Sequence, residues 1–352
     1  MRSSGIGGQA VLEGIMMKNQ DTYCVAVRKP DGKIEVVKDA YQGHANKGWK
    51  KLPFIRGVFQ FADSLILGIK TLNISADFYA QEEDAPTAAD KVGEKAFGEG
   101  AEKVLEIATV SIAILAAIGL FMVLPYFLAQ ALSKVVASDS LLALLEGLIR
   151  LAIFLLYVVL ITAMKDIRRV YMYHGAEHKC INCIEHGRIL DVKNVKLSSR
   201  FHKRCGTSFL LFVMVISIIL FFFIRVDQPA LRLGLRLLLI PVIAGISYEI
   251  IRLAGNSDFF LVSILSAPGM LLQRLTTKEP DEDMIRVAIA AVEEVFDWKA
   301  YLKEEFDFDV DAYRELQEYE TERERQLEEA RSPEEDGPEF EAEDEEQDAE
   351  DE

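Results

Sequence analysis

His174-Gly175-Ala176-Glu177-His178 sets two imidazoles one helical turn apart with a carboxyl beside them. On a helix, residues i and i+4 share a face, so His174 and His178 can ligate one divalent ion together. Glu177 is not needed as a ligand and is free to act as general base toward a water, the H-x-x-E-H order that inverts H-E-x-x-H. Cys180, Cys183, His186, His202 and Cys205 follow, so four of the five histidines and three of the four cysteines fall in this stretch.

A catalytic zinc takes three protein ligands and leaves one position open. His202, Cys205 and Glu249 are the candidates for the third. His202 and Cys205 directly precede an apolar run, and Glu249 is an ionisable residue inside another. Glu249 also has a plainer reading, as partner of Arg252 or as an interfacial side chain. A competing scheme takes Cys180, Cys183, Cys205 and a histidine as a closed Cys₃His zinc that orders the loop and catalyses nothing. Gly175 counts modestly against a helix here, by up to about 1 kcal/mol relative to Ala.

The elements that must position these residues are membrane spans. Leu105 to Gln130, Leu141 to Met164, Ser208 to Ile224 and Leu233 to Ile251 are predominantly apolar. At about 1.5 Å per residue each crosses most or all of a hydrocarbon core about 30 Å thick. Four spans make this a mainly α polytopic membrane protein. The segment between spans two and three, Lys165 to Thr207, carries ten Lys or Arg against four acids, which places it in the cytoplasm together with both termini. If span two continues as a helix past Met164, His174 stands about 15 Å beyond the hydrocarbon edge. Cysteines in that reducing compartment read as thiols or metal ligands rather than disulfides. Glu146 and Arg150, spaced i, i+4, are expected to neutralise each other.

The chain divides into a cytoplasmic N-terminal β element (1–52), an amphipathic helix and linker (53–103), spans one and two (104–164), the His/Cys loop (165–207), spans three and four (208–251), an interfacial segment with an amphipathic helix (252–303), and a charged helix with an acidic tail (304–352). Thr22 to Arg28 and Lys33 to Asp39 flank Pro30-Asp31-Gly32, a hairpin signal. Gly5 to Ala10 lacks the spacing of a phosphate loop and reads as a tight turn that lets the backbone approach something closely. Pro53 to Tyr79 places Phe54, Val58, Phe61, Leu65, Ile69 and Leu72 at helical spacing, to lie on the membrane surface or on the chain's own cytoplasmic domain. Asp281 to Leu302 predicts a second amphipathic helix, and Phe259 to Leu275, broken by Pro268-Gly269, an interfacial or re-entrant one. The net charge of −17 is mostly tail: Glu334 to Glu352 contain thirteen acids and no base. Nothing supports nucleic-acid binding, because topology accounts for the basic residues.

Gly7-Gly8-Gln9-Ala10-Val11-Leu12-Glu13-Gly14-Ile15-Met16-Met17, Tyr173-His174-Gly175-Ala176-Glu177-His178-Lys179, His202-Lys203-Arg204-Cys205-Gly206-Thr207-Ser208-Phe209 and Ala267-Pro268-Gly269 closely resemble strings of the YqhQ-like family of bacterial membrane proteins. This is a domain of unknown function whose members are labelled as predicted metal-dependent enzymes. The resemblance favours His174, Glu177, His178, His202, Arg204, Cys205, Glu13 and the stretch around Glu249, and not Cys180, Cys183 or His186. The expectation is a divalent metal, zinc by preference, on His174, His178 and one of His202, Cys205 or Glu249. Glu177 would serve as general base and Arg204 would stabilise an anionic transition state. The partners would be the lipid bilayer and a peptide, protein or lipid. The alternative is a non-enzymatic membrane scaffold that binds a protein partner, with a structural metal or none.

Overall fold

A computed structural model describes residues 2–41, 43, 48–80, 101–223, 226, 228–256 and 260–329. Residues 81–100, which make up most of the expected linker, and the acidic tail from 330 onward lie outside the described residues.

The expected hairpin is present and belongs to a larger sheet. Strands β1 (Gly7–Val11), β2 (Gly14–Asn19), β3 (Thr22–Arg28) and β4 (Ile34–Ala40) form an antiparallel meander. Gly32, at φ +83°, makes the last turn. The glycine-rich start is therefore a strand rather than a turn. Both faces of the sheet are covered, in the period of two that a strand imposes. Ile15, Met17, Cys24 and Ala26 face one core, while Met16, Tyr23, Val25 and Val27 face another.

Helix α1 (Ile55–Ala80) packs on the second face through Leu67 and then reaches the membrane-type helices, where Gly57 lies against Gly245 and Tyr248. It thus packs on the chain's own sheet, and it also leaves Leu65, Ile66, Ile69 and Leu72 exposed.

Four helical stretches are long and apolar enough to cross a membrane: Ile107–Leu132, Asp139–Thr162, Gly206–Phe223 and Ala230–Ala254. The first joins α2 (Ala101–Ile118) and α3 (Leu124–Leu132) through a π-helical turn. The others are α4 (Asp139–Thr162), α7 (Gly206–Phe223) and α8 (Pro229–Asn256). Between α4 and α7 run α5 (Lys165–Glu185) and α6 (Val192–Leu197). Span two does not continue into α5. Met164 is extended (φ −73°, ψ 132°) and breaks the helix, so α5 takes its own direction and packs on β1, β2 and the helix Glu282–Val295.

Helix α9 (Phe260–Thr276) packs on α4, α7 and α8. The predicted amphipathic helix is two: α10 (Glu282–Val295), capped by Asp281, and α11 (Trp298–Phe306), capped by Asp297. Met284, Val287, Ala288 and Ala291 of α10 fill the core between sheet and α5. The exposed, charged α12 (Val310–Glu329) ends the described chain.

Glu146 pairs with Arg150 at 2.9 Å, yet the two do not simply neutralise each other. Arg236 of α8 holds the same carboxylate, with Nη2 2.9 Å from Oε2, and both guanidiniums lie 5.0 Å from the Phe221 ring. All three side chains are nearly inaccessible. Removing the shared anion strands two buried cations, and breaking a buried pair costs about 3–5 kcal/mol. Glu146→Gln is therefore expected to lower the unfolding temperature of the detergent-solubilised protein clearly. An unchanged transition would refute this role.

Candidate metal site

Helix α5 has one face in the core, through Tyr173, Ala176, Cys180 and Ile184, and this fixes where its other face points. Two backbone segments cross that other face. Lys179 donates to the carbonyls of Lys196 (2.9 Å) and Ser198 (3.0 Å), and Asn182 donates to those of Ser199 (2.7 Å) and Phe201 (2.9 Å). The strap so formed presents the Arg200 carbonyl to His178 Nδ1 at 2.6 Å. On the other side, Lys278 N donates to the Tyr171 carbonyl at 2.8 Å, and the same segment presents the Thr276 carbonyl to His174 Nδ1 at 2.9 Å. A carbonyl only accepts, so each Nδ1 carries a proton, and Nε2 offers a lone pair when the ring is neutral.

Gly175 is what lets the second segment approach. A Cβ there would sit 2.0 Å from the Lys278 carbonyl oxygen. The helix-propensity cost noted from sequence is thus offset by a close contact that only glycine permits.

His174 Nε2 lies 3.3 Å from Cys205 Sγ. His174, His178 and Cys205 offer ligand atoms all within 4.8 Å of one another, and Cys205 and His178 are buried. Ligands about 2.0 and 2.3 Å from a shared tetrahedral centre stand roughly 3.5 Å apart, so the donor set fits a zinc-like ion. Burial alone would push the Cys205 thiol up, but the His174 and His178 imidazoles outweigh it and hold the thiol well below its ordinary value. Burial likewise opposes protonation of His174, and the Cys205 sulfur with Glu177 overrides it, raising the imidazole to about 9. Burial raises the Glu177 carboxyl above the usual carboxylate range.

Glu177 faces the cluster across a cavity of about 100 Å³ lined also by Ile6, Gly7, Gly8, Ile181, His202, Arg204 and Gly206. The Gly8 backbone N–H is directed at its carboxyl. A Cβ on Gly8 would come within 2.7 Å of the Met16 carbonyl oxygen and 3.1 Å of the Glu177 carboxyl carbon. The close approach expected of the glycine-rich start is thus made to Glu177.

The remaining candidates separate. His202 lies beside the cluster, its ring 5.7 Å from that of His178, but its Nε2 faces Glu185 at 3.3 Å and its Nδ1 accepts from Arg204 N at 3.4 Å. Glu249 is not brought to the cluster. It pairs with Arg56 and accepts from Phe54 N at 3.2 Å, where α1 meets α8. Arg204 lines the cavity, but its guanidinium is held by Glu185 and Ser3. Cys180 is buried in the core against the sheet, Cys183 Sγ lies 3.3 Å from the Ile189 carbonyl, and His186 Nδ1 lies 2.7 Å from the Asn182 carbonyl, so the Cys₃His scheme does not assemble. Glu13 pairs with Arg169 and accepts from the Tyr173 hydroxyl at 3.2 Å, one residue before His174.

A family model described as "Protein of unknown function (DUF1385)" matches residues 52–298. The chain belongs to this DUF1385 family. A relative from Bacillus subtilis (strain 168), "Uncharacterized protein YqhQ", is 34% identical over 292 residues, which are 82% of this chain and 91% of the relative. No solved structure matches the chain. The residues matched by the family model contain all of α5 and the strap that presents Arg200, as well as α7 and α9.

Glu185, which nothing in the sequence marked, is fully buried and accepts from Ser4 N and Oγ, both at 2.8 Å. Burial would raise it, yet His202 and Arg204 bring it down to about 2. A depressed carboxylate contributes stability above its ordinary value of 4.5 and loses it as pH falls toward about 2. In that window Glu185→Gln should show a flatter decline of unfolding temperature than wild type, and parallel curves would count against the network. Gly175→Ala gains helix propensity of about 1 kcal/mol. The overlap with Lys278 should outweigh it and leave a net loss of about 1–3 kcal/mol, read from thermal unfolding.

Proposed function

We propose that this is a multi-pass protein of the cytoplasmic membrane, with both termini cytoplasmic. Its His174–His178–Cys205 site holds a divalent metal and hydrolyses a membrane-adjacent peptide or lipid. The observation that carries this reading is the fixing of both imidazoles by backbone carbonyls, so that their free nitrogens and the Cys205 sulfur converge beside a buried carboxyl. Outer hydrogen bonds of this kind set the tautomer and the aim of metal-binding histidines. Two nitrogens and a sulfur favour zinc over magnesium or calcium, which take oxygen ligands. When bound, the ion supplies Lewis acidity to the reacting group. Glu177, raised by burial, takes the proton from the attacking water and returns it to the leaving group. Arg204 serves as a positioning residue, its charge matched to Glu185. The ten basic residues against four acids in 165–207 support a cytoplasmic site.

The scaffold reading finds support in α12, a helix charged along its length that is anchored in the core by Val310 and exposed from 311 to 326. Glu177 separates the two readings. Purified wild-type protein is expected to carry zinc, and His174→Ala, His178→Ala and Cys205→Ala to lose it. Equally low metal in all four would overturn the site. Glu177→Gln should keep the metal while failing to complement a deletion strain, with turnover falling about 10²–10⁴-fold once a substrate is in hand. Full complementation by Glu177→Gln would favour the scaffold.

A further inference from the structure

The face of α1 turned away from the sheet is apolar and open. Asp63, Leu67, Gly68 and Thr71 are buried on one side of the helix, whereas Leu65 and Ile66 on the other are more than half exposed. The turn before the helix is open too, with Trp49, Leu52 and Phe54 all more than half exposed. Phe54 also holds φ +65°, a conformation that a bulky side chain rarely adopts, and no burial within the chain offsets that strain.

The segment stands level with the apolar helices. Helix α7 leaves the side of the metal site and α8 returns to it. Gly245 of α8 lies nine residues before the end of its apolar stretch at Ala254, about 13 Å along the axis. A Cβ on Gly245 would come 2.6 Å from the Phe54 carbonyl oxygen, and one on Gly57 would come 3.0 Å from Gly245 Cα. Two glycines thus admit the turn to α8 within its apolar stretch. One helical turn further along α1, the Phe61 ring is 5.4 Å from that of Phe209, the fourth residue of α7 and about 4–5 Å into its apolar stretch. Leu65 and Ile66, another turn on, reach the boundary. Charge in the segment is already matched there, because Glu249 pairs with Arg56 and Lys50 Nζ lies 4.4 Å from the centre of the Phe59 ring. A soluble partner cannot enter at that depth, whereas acyl chains are the surroundings that an apolar layer implies.

Resting on the reading of the four apolar helices as membrane spans, we propose that residues 48–66 form a wedge that enters the leaflet on the side of the metal site without crossing it. Phospholipid acyl chains cover Trp49, Leu52, Phe54, Leu65 and Ile66. Lys50 and Lys51 directly follow Trp49, and Trp with Lys is the combination that collects at a headgroup boundary, so lipid phosphates are their counter-charges. Beyond Ile66, Gly68 lies against the Gln9 side chain, where a Cβ would come within 2.7 Å of Oε1, and Gln9 follows Gly8 of the cavity wall. Anchoring α1 in the leaflet therefore fixes the sheet and that wall at headgroup level, beside the start of α7.

The chain has two tryptophans, and Trp298 is buried in the core, so the difference in emission between wild type and Trp49→Phe isolates Trp49. The full-length protein is reconstituted in phosphatidylcholine–phosphatidylglycerol vesicles whose acyl chains carry bromine near the carbonyl end or near the methyl end. Trp49 emission should fall in brominated vesicles relative to unbrominated ones. The loss should be larger with bromine near the carbonyl end, as for a segment seated roughly 5–10 Å into the boundary between headgroups and acyl chains. Equal emission with and without bromine overturns the wedge, whether water or a second copy of the chain covers the ring. Washing the vesicles with alkaline carbonate tests the underlying reading separately: the protein should stay with the lipid, and its release would overturn the four spans themselves.

Discussion

The arrangement depends on two backbone carbonyls, those of Thr276 and Arg200, each spent on an imidazole Nδ1. They come from segments well apart in the chain, one from the end of α9 and one from the strap before α7. Each would be aimed elsewhere without its own support. Lys179 and Asn182 hold the strap by four hydrogen bonds to its carbonyls. Gln273, fully buried, ties α9 to the strap's end by receiving His202 N at 2.9 Å and donating to the His202 carbonyl at 2.8 Å. Because a ring whose Nδ1 is fixed has its Nε2 direction fixed as well, the convergence on Cys205 follows from backbone placement.

Much of this was legible in the sequence. Hydropathy gave the four apolar helices to within a few residues, because a long run without a polar face has few other solutions. The i, i+4 spacing placed His174 and His178 together, and Cys205 was already among the third-ligand candidates. The rest was hidden for physical reasons. Backbone carbonyls have no residue signature, so Thr276 and Arg200 could not be named in advance. Glu249 looked functional because it is an acid in an apolar run, and its neutralising partner, Arg56, lies far away in sequence. The break at Met164 follows no proline or glycine, and the expectation of a continuous helix put the motif well away from the apolar bundle. In the fold, His174 instead touches Cys205, the residue just before α7.

That last placement links site and bundle. Cys205 caps an apolar helix, so its sulfur cannot shift without moving the end of α7, and α7 is wedged between α4, α8 and α9. Phe154, Val158, Leu211 and Leu272 lock α4, α7 and α9 together just beyond the cluster. Gly269 allows α9 to close onto Ser208, where a Cβ would come within 2.7 Å of the serine side chain. One candidate ligand thus belongs to the apolar bundle and two belong to a helix packed on the sheet. The cluster forms only when the two halves dock, so any ion it holds would report on, and reinforce, that docking by mass action.

The N-terminal segment closes the remaining side by a different means. Ile6, Gly7 and Gly8 line the cavity, yet Ser3 and Ser4 reach it through polar contacts with Arg204 and Glu185 rather than by burial of apolar surface. Arg2 extends the same seam to α11, donating to Glu305 at 3.1 Å and lying over the Phe306 ring at 5.3 Å, while its carbonyl accepts from Tyr301 at 2.8 Å. Exposed ion pairs such as Arg2–Glu305 contribute little individually, so this seam is held mainly by the buried Glu185 carboxylate. Glu185 accepts from the N-terminus, from His202 and from Arg204 at once. It therefore couples closure of the cavity to the orientation of the chain that delivers Cys205, which explains why a residue with no motif of its own is among the most deeply buried charges in the fold.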